Sequence, residues 1–215
     1  MAIKDDREYR NLGTFEINAE PDAPEDFHVR GYASTFNQDY KLFECDGEEY
    51  FERIDPHAFD EADLSDVVFL RDHTGPVLAR TKNGAITLST DEHGLHTDTD
   101  LSLTEASRAM REDIKVGNYT QMSFSFVVAR DGDHMDGNTR VIDRIAKIYD
   151  ISAVAFPANP YTDIGLSARS LFDGVIEQKQ AERLAAEQRE LARKRLALRI
   201  KLLKGGTDGN QGNES

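Results

Sequence analysis

Cysteine, tryptophan and long apolar runs are scarce or absent in this chain of 215 residues. It has one cysteine, Cys45, and no tryptophan. A single cysteine excludes an intrachain disulfide and a zinc site built from several thiolates. No apolar run approaches the roughly 18 residues of a membrane-spanning helix, and residues 1–6 lack the apolar stretch of a signal peptide. We therefore expect a soluble protein of a reducing cytoplasm, with no membrane partner.

Positively charged residues are also few compared with negatively charged ones. The sequence has 26 Lys and Arg against 40 Asp and Glu, which gives a formal net charge of −14. Because attraction to phosphates needs positive charge, we expect no nucleic-acid partner for the chain as a whole. Hydrophobic residues make up 39% of the sequence, which is enough for the core of one domain with an appended segment.

Charge and composition both change near residue 168. Residues 1–167 hold 16 Lys and Arg against 33 Asp and Glu, a net charge of −17, whereas residues 168–215 hold 10 against 7, a net charge of +3. Between 168 and 204 there is no proline and one glycine, and strong helix formers dominate. We therefore predict a domain over 1–167, a basic helical segment over 168–204, and a disordered tail over 205–215.

A weak leucine stripe runs along the predicted helix. Leu184, Leu191 and Leu198 recur every seven residues, but Gln188 and Arg195 lie between them on the same face. Two interpretations stay open: a solvated helix packed on its own domain, or a helix that binds a partner protein or a second copy in a homo-oligomer.

The first 167 residues contain many short strand-like segments. Asn83-Gly84 lies between two of them and favours a hairpin. Helical spacing over 104–116, stopped by Gly117-Asn118, predicts one helix in mid-chain. The longest strand-like segments are 121–130 and 140–156. Many short strands with one helix and no repeat predict a mainly β fold, a β-barrel with peripheral helices.

Two serines occupy one face of the strand predicted at 121–130. Apolar side chains alternate with Ser123 and Ser125, so the apolar face is buried and both hydroxyls lie on the opposite face. A serine held on a rigid strand is well placed to act as a nucleophile. Periodicity alone does not separate this role from that of an ordinary serine on an exposed face.

A histidine and an aspartate stand out on two other segments. The apolar run 67–70 predicts a buried strand that leads to His73, just before a Gly75-Pro76 turn. A histidine there can take a proton from a hydroxyl near neutral pH. Asp150 shares one face of an extended segment with Ser152 and apolar residues, where a carboxylate is costly unless it is paired, for example with a histidine N–H. A hydroxyl, an imidazole and a carboxylate suit acyl transfer as nucleophile, base and orienting group.

Two other chemistries are disfavoured by spacing and surroundings. His93, His96, Asp98 and Asp100 offer metal ligands, but on an extended strand His93 points away from the other three. Cys45 as a thiol nucleophile would lie between acidic residues, which disfavour a thiolate. We therefore expect neither a metal nor a cofactor.

A set of short blocks follows a fixed order between residues 27 and 164. The blocks are Gly31-Tyr32-Ala33-Ser34, Glu52-Arg53-Ile54, His73, Val77-Leu78-Ala79-Arg80, Gly94-Leu95, Met122-Ser123-Phe124-Ser125-Phe126 and Asp150-Ile151-Ser152. In this order and spacing, the chain resembles the prohead maturation proteases of tailed bacteriophages. These serine endopeptidases share their fold and ancestry with herpesvirus assemblins.

The resemblance implies an assemblin-like β-barrel with peripheral helices, to which this chain adds a long C-terminal helix. It implies that His73 is the base, Ser123 the nucleophile and Asp150 the third member of a catalytic triad. The chain departs from the usual family pattern at two positions, because Asp150 replaces a glutamate and Ser125 replaces a glycine. Two hydroxyls about 7 Å apart on one strand cannot both serve one histidine equally, and we assign the nucleophile to Ser123.

The resemblance also implies a role in procapsid maturation inside the bacterial host cytoplasm. The enzyme would cleave scaffold protein, or the scaffolding segment of the capsid protein, and itself. Capsid or scaffold protein would be both substrate and assembly partner, and the segment 168–204 would be a targeting or scaffold-contact element removed by autoproteolysis. The alternative is a capsid scaffold or assembly protein without catalytic activity.

Overall fold

The fold is described by a computed structural model, which covers residues 7–16, 26–155 and 172–205. Within these ranges the chain forms twelve strands and two α-helices, together with a short 3-10 helix at Thr81–Asn83. The strands are β1 (Glu8–Glu16), β2 (His28–Thr35), β3 (Tyr40–Cys45), β4 (Glu48–Ile54), β5 (Val68–Arg71), β6 (Thr74–Arg80), β7 (Ile86–Thr90), β8 (Gly94–Asp100), β9 (Gln121–Val128), β10 (Asp133–Asp136), β11 (Thr139–Ile142) and β12 (Ile145–Val154). The helices are α1 (Glu105–Lys115) and α2 (Asp173–Gly205).

The chain divides into two compact units, Met1–Ala168 and Arg169–Ser215. The predicted boundary between residues 167 and 168 lies outside the described residues. Gly205, predicted to open the tail, is instead the last residue of α2, and the rest of that tail lies outside the described residues.

The strands of the first unit form two sheets. The larger has the order β6-β5-β12-β9-β1-β2-β8-β7, and the smaller has the order β10-β11-β4-β3. Neighbouring strands are antiparallel except for β5 with β12 and β11 with β4, which are parallel. The predicted mainly β fold with a long C-terminal helix is therefore confirmed. Among the strands that the structure describes, β6 and β7 end the larger sheet without pairing to each other, so closure into a barrel stays a prediction.

Helix α1 confirms the helix predicted over 104–116. Thr104 caps its N-terminus, where the Thr104 hydroxyl accepts a hydrogen bond from the Ser107 N–H at 3.0 Å. Gly117 follows the helix at a φ of +83°, a left-handed conformation that glycine adopts without strain. The buried face of α1 includes Met110 and Ile114, which join the apolar core.

Two predictions about strand connections are wrong. Asn83-Gly84 does form a turn, but β6 before it pairs with β5 and β7 after it pairs with β8, so no hairpin results. The segment predicted as one strand over 140–156 is two strands, β11 and β12, in different sheets. The interruption lies at Asp143 and Arg144, whose N–H groups both donate to the Gly132 carbonyl, at 2.8 and 2.9 Å.

Helix α2 carries the predicted leucine stripe on an exposed surface. Leu184, Leu191 and Leu198 are between 52% and 61% exposed. No helix in the described parts of the chain is both long enough and apolar enough to span a membrane.

Candidate active site

Four polar side chains lie side by side on β9 and β12, near the middle of the larger sheet. Ser123 lies opposite Ser152, and Ser125 lies opposite Asp150. Directly opposite residues of an antiparallel pair project from the same face, so all four belong to one patch. Each is buried, which corrects the expectation of an exposed serine face. Apolar residues of β9 such as Phe124 pack on the other face, as predicted.

His73 reaches this patch from the turn between β5 and β6. Arg71 pairs with Thr74, so Asp72 and His73 form a two-residue turn. Both have a left-handed φ, +46° and +57°, as in the type I′ turns that usually carry asparagine and glycine. The expected Gly75-Pro76 turn is wrong, because these two residues lie inside β6.

Hydrogen bonds to β12 hold this strained turn over the sheet. The Asp72 N–H donates to the Ala153 carbonyl at 3.0 Å, and the His73 N–H donates to Ser152 Oγ at 3.2 Å. A non-glycine residue in a left-handed conformation costs on the order of 1–3 kcal/mol and persists only where its surroundings enforce it. The turn therefore fixes where the His73 side chain begins.

The imidazole of His73 connects a hydroxyl to a carboxylate. Its Nδ1 lies 2.5 Å from Asp150 Oδ1, and its Nε2 lies 2.6 Å from Ser123 Oγ. An ionised carboxylate can only accept, so Nδ1 carries the proton in this pair. In the neutral ring Nε2 is then an acceptor, and the Ser123 hydroxyl donates to it. We call Ser123, His73 and Asp150 the hydrogen-bonded row.

Two further hydroxyls hold the carboxylate of this row. Ser125 Oγ donates to Asp150 Oδ2, and Ser152 Oγ donates to Asp150 Oδ1 at 2.8 Å. Burial raises the pKa of Asp150, but the hydrogen bond and charge of His73 and the two serine hydroxyls outweigh it and leave the pKa below its usual value. Asp150 is therefore ionised at neutral pH although it is buried.

The two serines of β9 have different partners. Ser123 meets the imidazole, whereas the Ser125 hydroxyl is committed to Asp150. The shorter reach of an aspartate does not prevent its contact with His73, because the row closes at 2.5 Å. The geometry thus brings together all three residues that the sequence put forward. Their catalytic roles belong to the proposal below.

Sequence reasoning missed two neighbours of the row. Ser152 was noted only as sharing a face with Asp150, but its hydroxyl links the His73 backbone to the carboxylate. Tyr9 was not noted at all, yet its ring lies 4.7 Å from that of His73. The alternation of Asp150 and Ser152 could have indicated the first contact. Nothing in the local pattern around Tyr9 reveals the second, which depends on how β1 pairs with β9.

The residues considered for metal binding have other partners. His93 and His96 both contact the ring of Tyr32, with centroid distances of 4.6 and 5.3 Å. Asp98 binds His28 at 2.5 Å and Arg30 at 2.9 Å. In the described ranges no group of three or more His, Cys, Asp or Glu side chains could hold a metal ion.

A comparison with known protein families gives a match over most of the chain. The family model described as caudovirus prohead serine protease matches residues 14–174, which is most of the chain and includes the whole hydrogen-bonded row. No curated protein and no solved structure matches the chain. The chain belongs to the family of caudovirus prohead serine proteases.

Proposed function

We propose that this chain is a serine endopeptidase in which Ser123 is the nucleophile, His73 the general base and Asp150 the group that orients the base. One observation carries the proposal: a single imidazole bonds the Ser123 hydroxyl through Nε2 and the Asp150 carboxylate through Nδ1. This is the arrangement that activates a weak alcohol nucleophile for acyl transfer. Membership of a serine protease family supports the same chemistry.

In the acylation step, Ser123 Oγ attacks the scissile carbonyl carbon while its proton passes to His73 Nε2. The tetrahedral adduct then collapses, the C–N bond breaks, and His73 returns that proton to the leaving amine. Water repeats the sequence on the acyl-enzyme: its proton goes to His73, the ester bond to Ser123 breaks, and the proton returns to Ser123 Oγ. The products are an amine and a carboxylic acid.

Asp150 acts on this reaction through His73. By accepting the Nδ1 proton, it leaves Nε2 free to accept the proton of Ser123. Its negative charge also stabilises the imidazolium that forms when the proton arrives. The hydroxyls of Ser125 and Ser152 hold the carboxylate in place, so the imidazole does not have to reorient during the reaction.

The proposed substrates are scaffold protein or the scaffolding segment of the capsid protein, together with the chain itself. The family membership supports this choice and supports a location inside the assembling procapsid, in the bacterial host cytoplasm. We assign helix α2 to targeting or scaffold contact, with removal by autoproteolysis. Its exposed leucines support a contact role, and so does a stretch over 193–204 with six basic and no acidic residues.

A serine-reactive fluorophosphonate probe tests the proposed nucleophile. We expect mass spectrometry of the labelled protein to place the probe on Ser123, with no label on Ser123→Ala and retained label on Ser125→Ala. The reaction should be run on the isolated chain and on procapsids assembled with it. Absence of label in both preparations would favour the scaffold protein without catalytic activity.

The self-cleavage proposal has its own measurement. Mass spectrometry of the purified wild-type chain incubated alone should show loss of a C-terminal fragment, and the Ser123→Ala chain should stay intact. A labelled, active chain whose C-terminus remains complete would contradict removal of α2 but not the peptidase assignment.

A further inference from the structure

Strand β1 places an aromatic side chain against the hydrogen-bonded row. It pairs antiparallel with β9, and its register sets Tyr9 opposite Ser125 and Asn11 opposite Ser123. Directly opposite residues share a face, with Cβ atoms roughly 4.5–5.5 Å apart. Tyr9 therefore projects from the same face of the sheet as Ser125 and Asp150, beside the place where the imidazole lies.

The Tyr9 ring contacts the imidazole of His73. Their centroids are 4.7 Å apart and their planes meet at 73°, an edge-to-face arrangement. The two hydrogen bonds of His73 hold its ring at Nδ1 and Nε2, but rotation about the Cα–Cβ and Cβ–Cγ bonds of the side chain would break both of them. A nearly perpendicular ring beside it opposes that rotation. Together with the sheet, it leaves only 18% of the His73 side chain exposed.

A buried ion network fixes the strand that carries Tyr9. The next residue, Arg10, points to the opposite side and donates to both carboxylate oxygens of Glu52, which is fully buried. Arg140 donates to the same carboxylate at 3.0 Å and to Glu8 at 2.6 Å. Displacing β1 would leave Glu52 and Arg140 short of a partner in the interior, which is costly. Tyr9 is consequently held in place from the other face of its own strand.

We infer that Tyr9 is a positioning residue for His73, and that Tyr9 thereby completes the active site from outside the stretch matched by the family model, which begins at residue 14. The inference rests on the proposed function. The Tyr9 ring keeps the imidazole in the orientation that bonds Ser123 and Asp150 at once, and it keeps water from competing for those bonds. The ring, rather than the phenol hydroxyl, performs this role.

Three variants separate positioning from mere structural support. Tyr9→Leu removes the ring, Tyr9→Phe keeps it, and Tyr149→Leu is a matched control. Tyr149 is also half-buried and directly precedes Asp150, but its ring contacts Lys147 and Arg7. We expect Tyr9→Leu to slow fluorophosphonate labelling of Ser123 at least tenfold, Tyr9→Phe to stay within about threefold of the wild type, and Tyr149→Leu to stay within about twofold.

Two labelling results would overturn the inference: a folded Tyr9→Leu chain that is labelled at the wild-type rate, or equal losses of labelling rate in Tyr9→Leu and Tyr149→Leu.

Nuclear magnetic resonance of imidazole nitrogens gives a readout independent of activity, with the His73 signals assigned through His73→Gln. We expect the Nδ1-protonated form of His73 in the wild type and a mixture of forms in Tyr9→Leu. If the wild type takes no label either as the isolated chain or in procapsids, the proposed function fails, yet His73 signals that are unchanged in Tyr9→Leu would still refute positioning by Tyr9. If Tyr9→Leu does not fold, the absence of contacts between Tyr9 and His73 ring protons in the wild type would refute it.

Discussion

Replacement of Asp150 by asparagine removes the charge of the hydrogen-bonded row while keeping nearly the same shape. The carboxylate accepts from His73, Ser152 and Ser125, and the first two share Oδ1. An asparagine carbonyl can occupy the Oδ1 position and keep both of those bonds. Its amide nitrogen then faces Ser125, whose hydroxyl rotates to accept instead of donating. We therefore expect Asp150→Asn to retain the geometry of the row and to lose its negative charge.

In the proposed reaction, the loss of this charge raises the free energy of the imidazolium that forms on His73. Two unit charges about 4 Å apart attract each other by about 4 kcal/mol at an effective dielectric constant of about 20. Because each 1.36 kcal/mol of barrier changes a rate roughly tenfold, acylation of Ser123 should slow by about 10³-fold. A change of tautomer, with the amide nitrogen facing His73, would add to this loss.

The assay is the second-order rate of fluorophosphonate labelling at Ser123, measured at neutral pH on chains with matched thermal stability. Asp143→Asn is the matched control, since it alters another aspartate–histidine pair, Asp143 with His134 at 2.6 Å, on an exposed surface. The control should label at the wild-type rate. A loss smaller than tenfold in Asp150→Asn would refute the reasoning, because the charge would then contribute little to the reaction.

Three further predictions follow from buried polar contacts. Ser125→Ala should slow labelling about tenfold to a hundredfold while leaving Ser123 as the labelled residue, because one hydrogen bond to a charged group is worth about 1.5–3 kcal/mol. A Ser125→Ala chain that is labelled as fast as the wild type would show that the hydrogen bond from Ser125 does not help to hold Asp150 in place. The pKa of Asp150 is lower in the folded chain than in the unfolded chain, so its stabilising contribution is complete above the unfolded value near 3.9 and is lost as pH falls through the folded value. On acidification the melting temperature of the wild type should therefore fall more than that of Asp150→Asn. Parallel curves of melting temperature against pH would refute the assigned shift. Glu52→Gln should lower the free energy of unfolding in urea by about 3 kcal/mol, because Arg10 and Arg140 stay buried without their shared carboxylate; an unchanged midpoint would show that the network contributes nothing to stability.

The sequence predicted the faces of the strands better than their connections. Alternation placed Ser123 and Phe124 on opposite faces of their strand, and it placed Asp150 and Ser152 on one face of theirs. Both assignments hold in the structure. Such faces can be predicted because side chains in a strand alternate with a period of two, whichever strands pair with it. The burial of the serine face could not be predicted, since it depends on the rest of the fold.

The connections depend on pairings between distant segments. Asp72-His73 carries no glycine or asparagine, so it lacks the usual signature of the two-residue turn that it forms, whereas Gly75-Pro76 has a strong turn signature and lies in a strand. Asn83-Gly84 makes its turn, but the strands around it find other partners. The contact between Tyr9 and His73 follows from the register of β1 on β9, which no local pattern encodes. Resemblance to a family was therefore needed to join His73, Ser123 and Asp150 before the structure did so.

The central claim is that the imidazole of His73 activates the hydroxyl of Ser123. The most direct measurement is the rate at which the fluorophosphonate probe labels Ser123 in the wild type and in folded His73→Ala. Loss of a general base costs a factor of about 10²–10⁴, so the variant should label slower by that factor. Labelling of Ser123 at the wild-type rate without the imidazole would contradict the claim.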